Sequence, residues 1–171
     1  MIKLTVALLT SLGFAFGAFA QDSKEATLAQ EDAGLMRQMA QSDLAEVQAG
    51  KVGAQKASSD EVKKFAQHMV DDHGKQLSEA RELAKKKNMQ LPSQPMKKHQ
   101  EAMKKLEQAS GAEFDKAFMQ QMVKDHQDAL KLAQSAAKKA KDKDLKAAAE
   151  KAVPVIQNHL DMAKNIASSL K

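Results

Sequence analysis

The chain has 171 residues and no cysteine, which excludes disulfides and thiolate metal sites. Its 27 basic and 22 acidic residues leave a net charge of +5, and it has neither Trp nor Tyr. So mild an excess, without aromatic rings for base stacking, argues against a nucleic-acid partner.

The first element is a leader. Met1-Ile2-Lys3 gives a positive start, and residues 4–20 are apolar or small and uncharged. The stretch ends Ala18-Phe19-Ala20, a pattern that signal peptidase cleaves after. The reading is a signal peptide over 1–20, cleaved after Ala20, that places the protein in the periplasm. The apolar run is short for a membrane span, the polar Gln21-Asp22-Ser23-Lys24-Glu25 follows at once, and no cysteine is available for a lipid anchor. Residues 21–30 read as a flexible leader, and 31–171 as a single domain with a real core.

Helix formers dominate that domain. The first helix, α1, is predicted over 31–57. Its inward stripe is Met36, Met39, Asp43, Glu46, Gly50, Gly53 and Ala57, at spacings of three and four. The two glycines cost helix propensity and point to close helix contact. Ser58 and Glu61 are spaced as a capping box that opens α2, which runs to Asn88 with the stripe Val62, Ala66, Met69, His73, Leu77, Ala80 and Ala84. Pro92 and Pro95 break the pattern. The connection over 89–110 holds a short helix, α3, over 96–108. Ser110 and Glu113 form a second capping pattern ahead of α4, over 112–140, with Met119, Met122, His126, Leu130, Ala133 and Ala137 inward. A turn at Lys141-Asp142-Lys143 leads to α5, over 144–170, with Leu145, Ala149, Ala152, Ile156, His159, Ala163, Ile166 and Leu170 inward. Pro154 lies inside α5 and is expected to kink it.

The fold class is therefore all-α: a ferritin-like four-helix bundle with a short extra helix in the long crossover. Two tight hairpins are joined by a connection long enough to return along the bundle, which makes α2 and α4 parallel and, on this reading, neighbours. The segment Phe65-x-Gln67-x-Met69-Val70-x-Asp72-His73 recurs 53 residues later as Phe118-x-Gln120-x-Met122-Val123-x-Asp125-His126. Apolar periodicity accounts for the repeated Phe and Met but not for the repeated Asp-His.

These residues carry a likeness to a known family. Glu46-Val47-Gln48-Ala49-Gly50-Lys51, the run Phe65 to His73, Phe114-Asp115, Asp125-His126 and Pro154-x-x-x-x-His159-Leu160 together resemble the bacterial family called domain of unknown function 4142. The likeness covers nearly all of the chain beyond the leader. It implies an exported, ferritin-like bundle, often labelled an outer-membrane protein, and no established activity.

The chemistry must come from the stripes. Each long helix places an ionisable group among apolar residues: Asp43 or Glu46, His73, His126 and His159. Counted from the two turns at about 1.5 Å per residue, they fall within roughly 9 Å of one level. A buried charge without partners costs several kcal/mol, so four such groups at one height need a reason. Three imidazoles and a carboxylate are a donor set for Zn, Cu, Fe or Ni, and the candidate ligands are Glu46, His73, His126 and His159. Asp43, Asp72 and Asp125 are candidate partners that orient the imidazoles. On this reading the protein binds a transition metal in stress or metal homeostasis. The rival is a metal-free polar network in a structural or interaction protein of the cell envelope. Residues Val70, Val123 and Ile156 stand three before the histidines, where di-iron bundles carry Glu, which argues against ferritin-type iron chemistry. Met69, Met122 and Met162, one turn from the histidines, suit copper(I) or plain core filling. His68 and His99 are expected to be solvated. No nucleophile or acid–base set is complete, so no enzyme activity is read. Lys85, Lys86 and Lys87 end α2, and Lys138, Lys139, Lys141 and Lys143 end α4. They complement the helix dipoles and, at one shared pole, offer a weak contact to an anionic envelope surface.

Overall fold

The computed structural model describes residues 28–170. The leader, the cleavage after Ala20 and residues 21–27 lie outside the described residues. Five helices follow in order: α1 Gln30–Lys56, α2 Asp60–Lys86, α3 Lys97–Leu106, α4 Gly111–Lys139 and α5 Lys143–Ser169. All predicted helices form, and no strand occurs among the described residues. No described helix is long and apolar enough to cross a membrane.

Packing of the stripes fixes the topology. Ala57, Val62, Phe65, Phe114, Phe118 and Ile166 share one apolar cluster, and Met36, Ala84, Ala140 and Leu145 share another. The start of α1, the ends of α2 and α4 and the start of α5 therefore lie at one pole, so α2 and α4 are parallel. They are not neighbours, however. Each packs against both α1 and α5, and the two face each other across the diagonal. Stripes fix which face of a helix is inward but not its place around the bundle. The short α3 lies against α1 and α4.

The glycines act as expected. A Cβ on Gly53 would lie 2.6 Å from the Phe118 ring, and one on Gly50 would lie 2.6 Å from the Ala66 carbonyl oxygen. Both positions let α1 approach its partners closely. The stop at Asn88 also holds: its φ is 51°, Met89 N–H donates to the Ala84 carbonyl at 2.9 Å, and Asn88 N–H donates to the Lys85 carbonyl at 3.2 Å. That is a Schellman closure. The helix α5 runs continuously through Pro154 from Lys143 to Ser169.

Neither expected capping box forms. Ser59 caps α2 and Ser110 caps α4, and neither side chain bonds to its own helix. The α1–α2 turn is held instead from another helix. Buried Asp115 accepts hydrogen bonds from Ser58 N–H at 3.0 Å, Ser59 N–H at 2.8 Å and the Ser58 hydroxyl. Buried Asp32 does the same for the α4–α5 turn, accepting from Lys141 N–H at 3.1 Å and Asp142 N–H at 2.7 Å. Asp32 and Asp115 stand 83 residues apart, as do Ser58 and Lys141. The two hairpins are thus related by a pseudo-two-fold axis, each locking the other's turn. The repeat at 53 residues is a different relation: it joins parallel segments of α2 and α4 that face each other at one height.

Candidate metal centre

Three of the four inward groups meet. His73 on α2, His126 on α4 and His159 on α5 are 1%, 0% and 0% exposed. Their ring centroids form a near-equilateral triangle with sides of 5.2, 5.5 and 5.5 Å. One nitrogen from each lies within 4.8 Å of the other two. The closest pair, His73 Nε2 and His159 Nδ1, is 3.3 Å apart. Two imidazole nitrogens on one tetrahedral zinc, each bonded at about 2.0–2.1 Å, would be separated by about the same distance.

The remaining ring nitrogens are anchored. His73 Nδ1 lies 2.9 Å from Asp43 Oδ1, and His159 Nε2 lies 2.9 Å from Asp72 Oδ2. His126 Nδ1 lies 2.9 Å from the Met122 carbonyl, to which it donates. This is the arrangement by which acceptors fix ring orientation at metal-bound imidazoles. His126 Nε2 is buried and has no protein partner.

Electrostatics favour the neutral ring at His126 and His159. Burial, reinforced by the neighbouring His73, lowers the His126 pKa to about 3, and burial followed by the same neighbour lowers that of His159 to about 4. Burial raises Asp43, partly offset by its bond to His73. Burial also raises Glu46 well above the usual carboxyl range, with Asp125 and Asp43 adding to the shift.

The other predicted residues fall into place around the triangle. Glu46 is buried beside His126, with Oε1 3.6 Å from Nδ1, the ring nitrogen that also faces the Met122 carbonyl. It is not among the converging ligand atoms, and its Oε2 has no partner. Asp43 and Asp72 contact His73 and His159 as described. Asp125 points elsewhere: it accepts from Gln121 at 2.9 Å and interacts with His99 across the α3 side of the bundle. Met69 and Met122 are fully buried in the apolar cluster with Phe65 and Phe118.

His68 and His99 are not free in solvent. His99 is partly buried among Gln48, Pro95, Gln121 and Asp125. His68 lies 3.3 Å from Asp72 Oδ2 and packs edge-on against His159 at 5.3 Å. Sequence reasoning missed it because helical angle separates His68 from His73. Its partner proved to be on α5. An exposed His and Asp at i, i+4 was the available signal.

The family model described as Domain of unknown function (DUF4142) matches residues 18–166. No curated protein matches the chain. Among solved structures, a DUF305 fragment from Deinococcus radiodurans is similar at a TM-score of 0.76 and 10% identity, covering 84% of this chain and 99% of that one. A DUF305 protein from Streptomyces coelicolor, provisionally described as secreted, is similar at a TM-score of 0.70 and 16% identity, covering 81% of this chain and 92% of that one. At these identities the likeness is one of fold.

Proposed function

The chain belongs to the Domain of unknown function (DUF4142) family, and from that premise we propose that it is a periplasmic helical-bundle protein that binds one transition-metal ion through His73, His126 and His159. The observation that carries this reading is the convergence of three buried imidazoles whose outward nitrogens are anchored, with His126 Nε2 left without a protein partner. Asp43, Asp72 and the Met122 carbonyl orient the rings, and Glu46 supports His126 as a buried carboxyl rather than as a ligand. Three imidazoles without sulfur suit Zn, Cu, Ni or Fe of the first-row series. The role is binding, in metal homeostasis or stress. Export is supported by the residue 1–20 pattern and by the description of the Streptomyces relative.

One observation favours a metal-free network. With Asp43 protonated, hydrogen bonds can run in one direction from Asp43 to His73, His159 and Asp72. That chain leaves His126 Nε2 unsatisfied, at a cost of about 1–3 kcal/mol, and the metal reading satisfies it.

Thermal unfolding separates the two. The midpoint of chelator-stripped protein is expected to rise with the concentration of at least one of Zn, Cu, Ni and Fe(II) at neutral pH, because ligand bound only by the folded state stabilises it by mass action. A midpoint that no ion moves sinks the metal reading and leaves the network.

A further inference from the structure

The groove between α2 and α5 brings a second set of ligand atoms together, and it shares one residue with the buried triangle. His68 and Asp72 stand one turn apart on α2, with side chains 44% and 36% exposed. His68 Nε2 lies 3.3 Å from Asp72 Oδ2, and the same oxygen lies 2.9 Å from His159 Nε2. One ligand atom from each of the three lies within 4.8 Å of the others. The series from solvent inward is half-exposed His68 and Asp72, then buried His159, then buried His73. His159 faces both sets, with Nε2 toward Asp72 and Nδ1 toward His73.

We propose that His68, Asp72 and His159 form an outer site where a divalent first-row transition metal binds before it reaches the buried triangle. This rests on the metal reading above. Two imidazoles and a carboxylate are suitable donors for such an ion, and their partial exposure leaves room for its remaining waters. The triangle itself, at 0–1% exposure, offers a hydrated ion no direct approach.

The two sites are used in turn. A neutral imidazole has one lone pair, so His159 ligates through Nε2 outside or through Nδ1 inside, with its proton on the other nitrogen. With the ion outside, the Nδ1 proton faces His73 Nε2 at 3.3 Å. With the ion inside, the Nε2 proton is donated to Asp72 at 2.9 Å. Either way the second nitrogen of His159 keeps a partner, and the protein holds one ion at a time.

The test is zinc loading of the chelator-stripped mature chain, followed by stopped flow and by equilibrium competition against a chromophoric chelator. His68→Ala is expected to load zinc about tenfold more slowly or worse, with equilibrium affinity close to wild type. His126→Gln, which removes an inner ligand only, is expected to keep one zinc at least about tenfold more weakly bound. The double variant His68→Ala/His126→Gln is expected to lose that residual binding. His73→Gln replaces His126→Gln if the latter loses helicity. If His68→Ala loads at the wild-type rate and His126→Gln binds nothing, the outer site is wrong and the triangle stands. If His126→Gln binds like wild type and only His68→Ala is impaired, the triangle is wrong and the outer site stands. A wild type that takes up no zinc overturns both.

Discussion

Replacing His73 with Ala is expected to cut ion-dependent stabilisation, leaving only weaker binding at the outer site, and to weaken the ion-free protein as well. His73 is the centre of the constellation: it contacts Asp43 and His159 and lies edge-on to His126. Its loss leaves the buried Asp43 carboxyl without its imidazole partner, at a cost of about 1–3 kcal/mol. It also removes one of three ligands. For wild type at an ion concentration about 1,000 times Kd, bound ion contributes about 4 kcal/mol, and binding weakened about tenfold or more in the variant is expected to remove at least about 1.4 kcal/mol of it. Urea unfolding with and without zinc reads both effects. His99→Ala, on α3 in the groove between α1 and α4, is expected to keep the full zinc increment. Retention of that increment by His73→Ala would place the ion somewhere other than the triangle.

Acid is the second large lever. The folded-state pKa values of His126 and His159, about 3 and about 4, lie below the ordinary imidazole value of 6.5. Between those values and 6.5 the unfolded chain binds more protons than the folded one, so stability rises with pH and is lost as pH falls. Each group contributes a slope of about 1.4 kcal/mol per pH unit, which gives a loss of roughly 5 kcal/mol for the two by pH 4.5. That is comparable with the whole stability of many domains. Asp43 and Glu46 act with the opposite sign. Their folded pKa values are raised, so they hold protons that the unfolded chain has released, and stability falls as pH rises through that range. Ion-free wild type is therefore expected to lose less stability below pH 6.5 than the two imidazoles alone would cost, and Asp43→Asn/Glu46→Gln, which removes the two opposing carboxyls, is expected to lose stability more steeply. Urea midpoints from pH 4.5 to 8 check this. A flat profile between 4.5 and 6.5 in Asp43→Asn/Glu46→Gln would mean that the two imidazoles are solvated or charged in the folded state.

Much of this was legible in the sequence because helices are regular. A rise of about 1.5 Å per residue turns counting from a tight turn into a height, and spacings of three and four give a face. Those two quantities suffice to send His73, His126 and His159 to one mid-bundle level, and they did meet. Lateral order was not legible. Whether α2 and α4 are neighbours or diagonal depends on how the two hairpins pack, which no single stripe specifies. Long-range capping was invisible for a related reason. Ser58 and Glu61 have the spacing of a local capping box, but Asp115 supplies a carboxylate from 57 residues away to three donors of the same turn. Phe114-Asp115, part of the family likeness, is therefore a device of the fold: Phe114 is core, and Asp115 ties the hairpins together. Ring orientation was also beyond reach. Glu46 has the right height and face for a ligand, yet its carboxyl comes up beside the His126 nitrogen that faces the Met122 carbonyl.

The central claim is that one ion sits among three imidazoles, and zinc K-edge X-ray absorption on the chain loaded with one equivalent tests it most directly. The account predicts a first shell of nitrogen or oxygen at about 2.0–2.1 Å, with outer-shell scattering from three imidazole rings and no sulfur. A first shell with thioether sulfur, or one with no more than one imidazole, would contradict it.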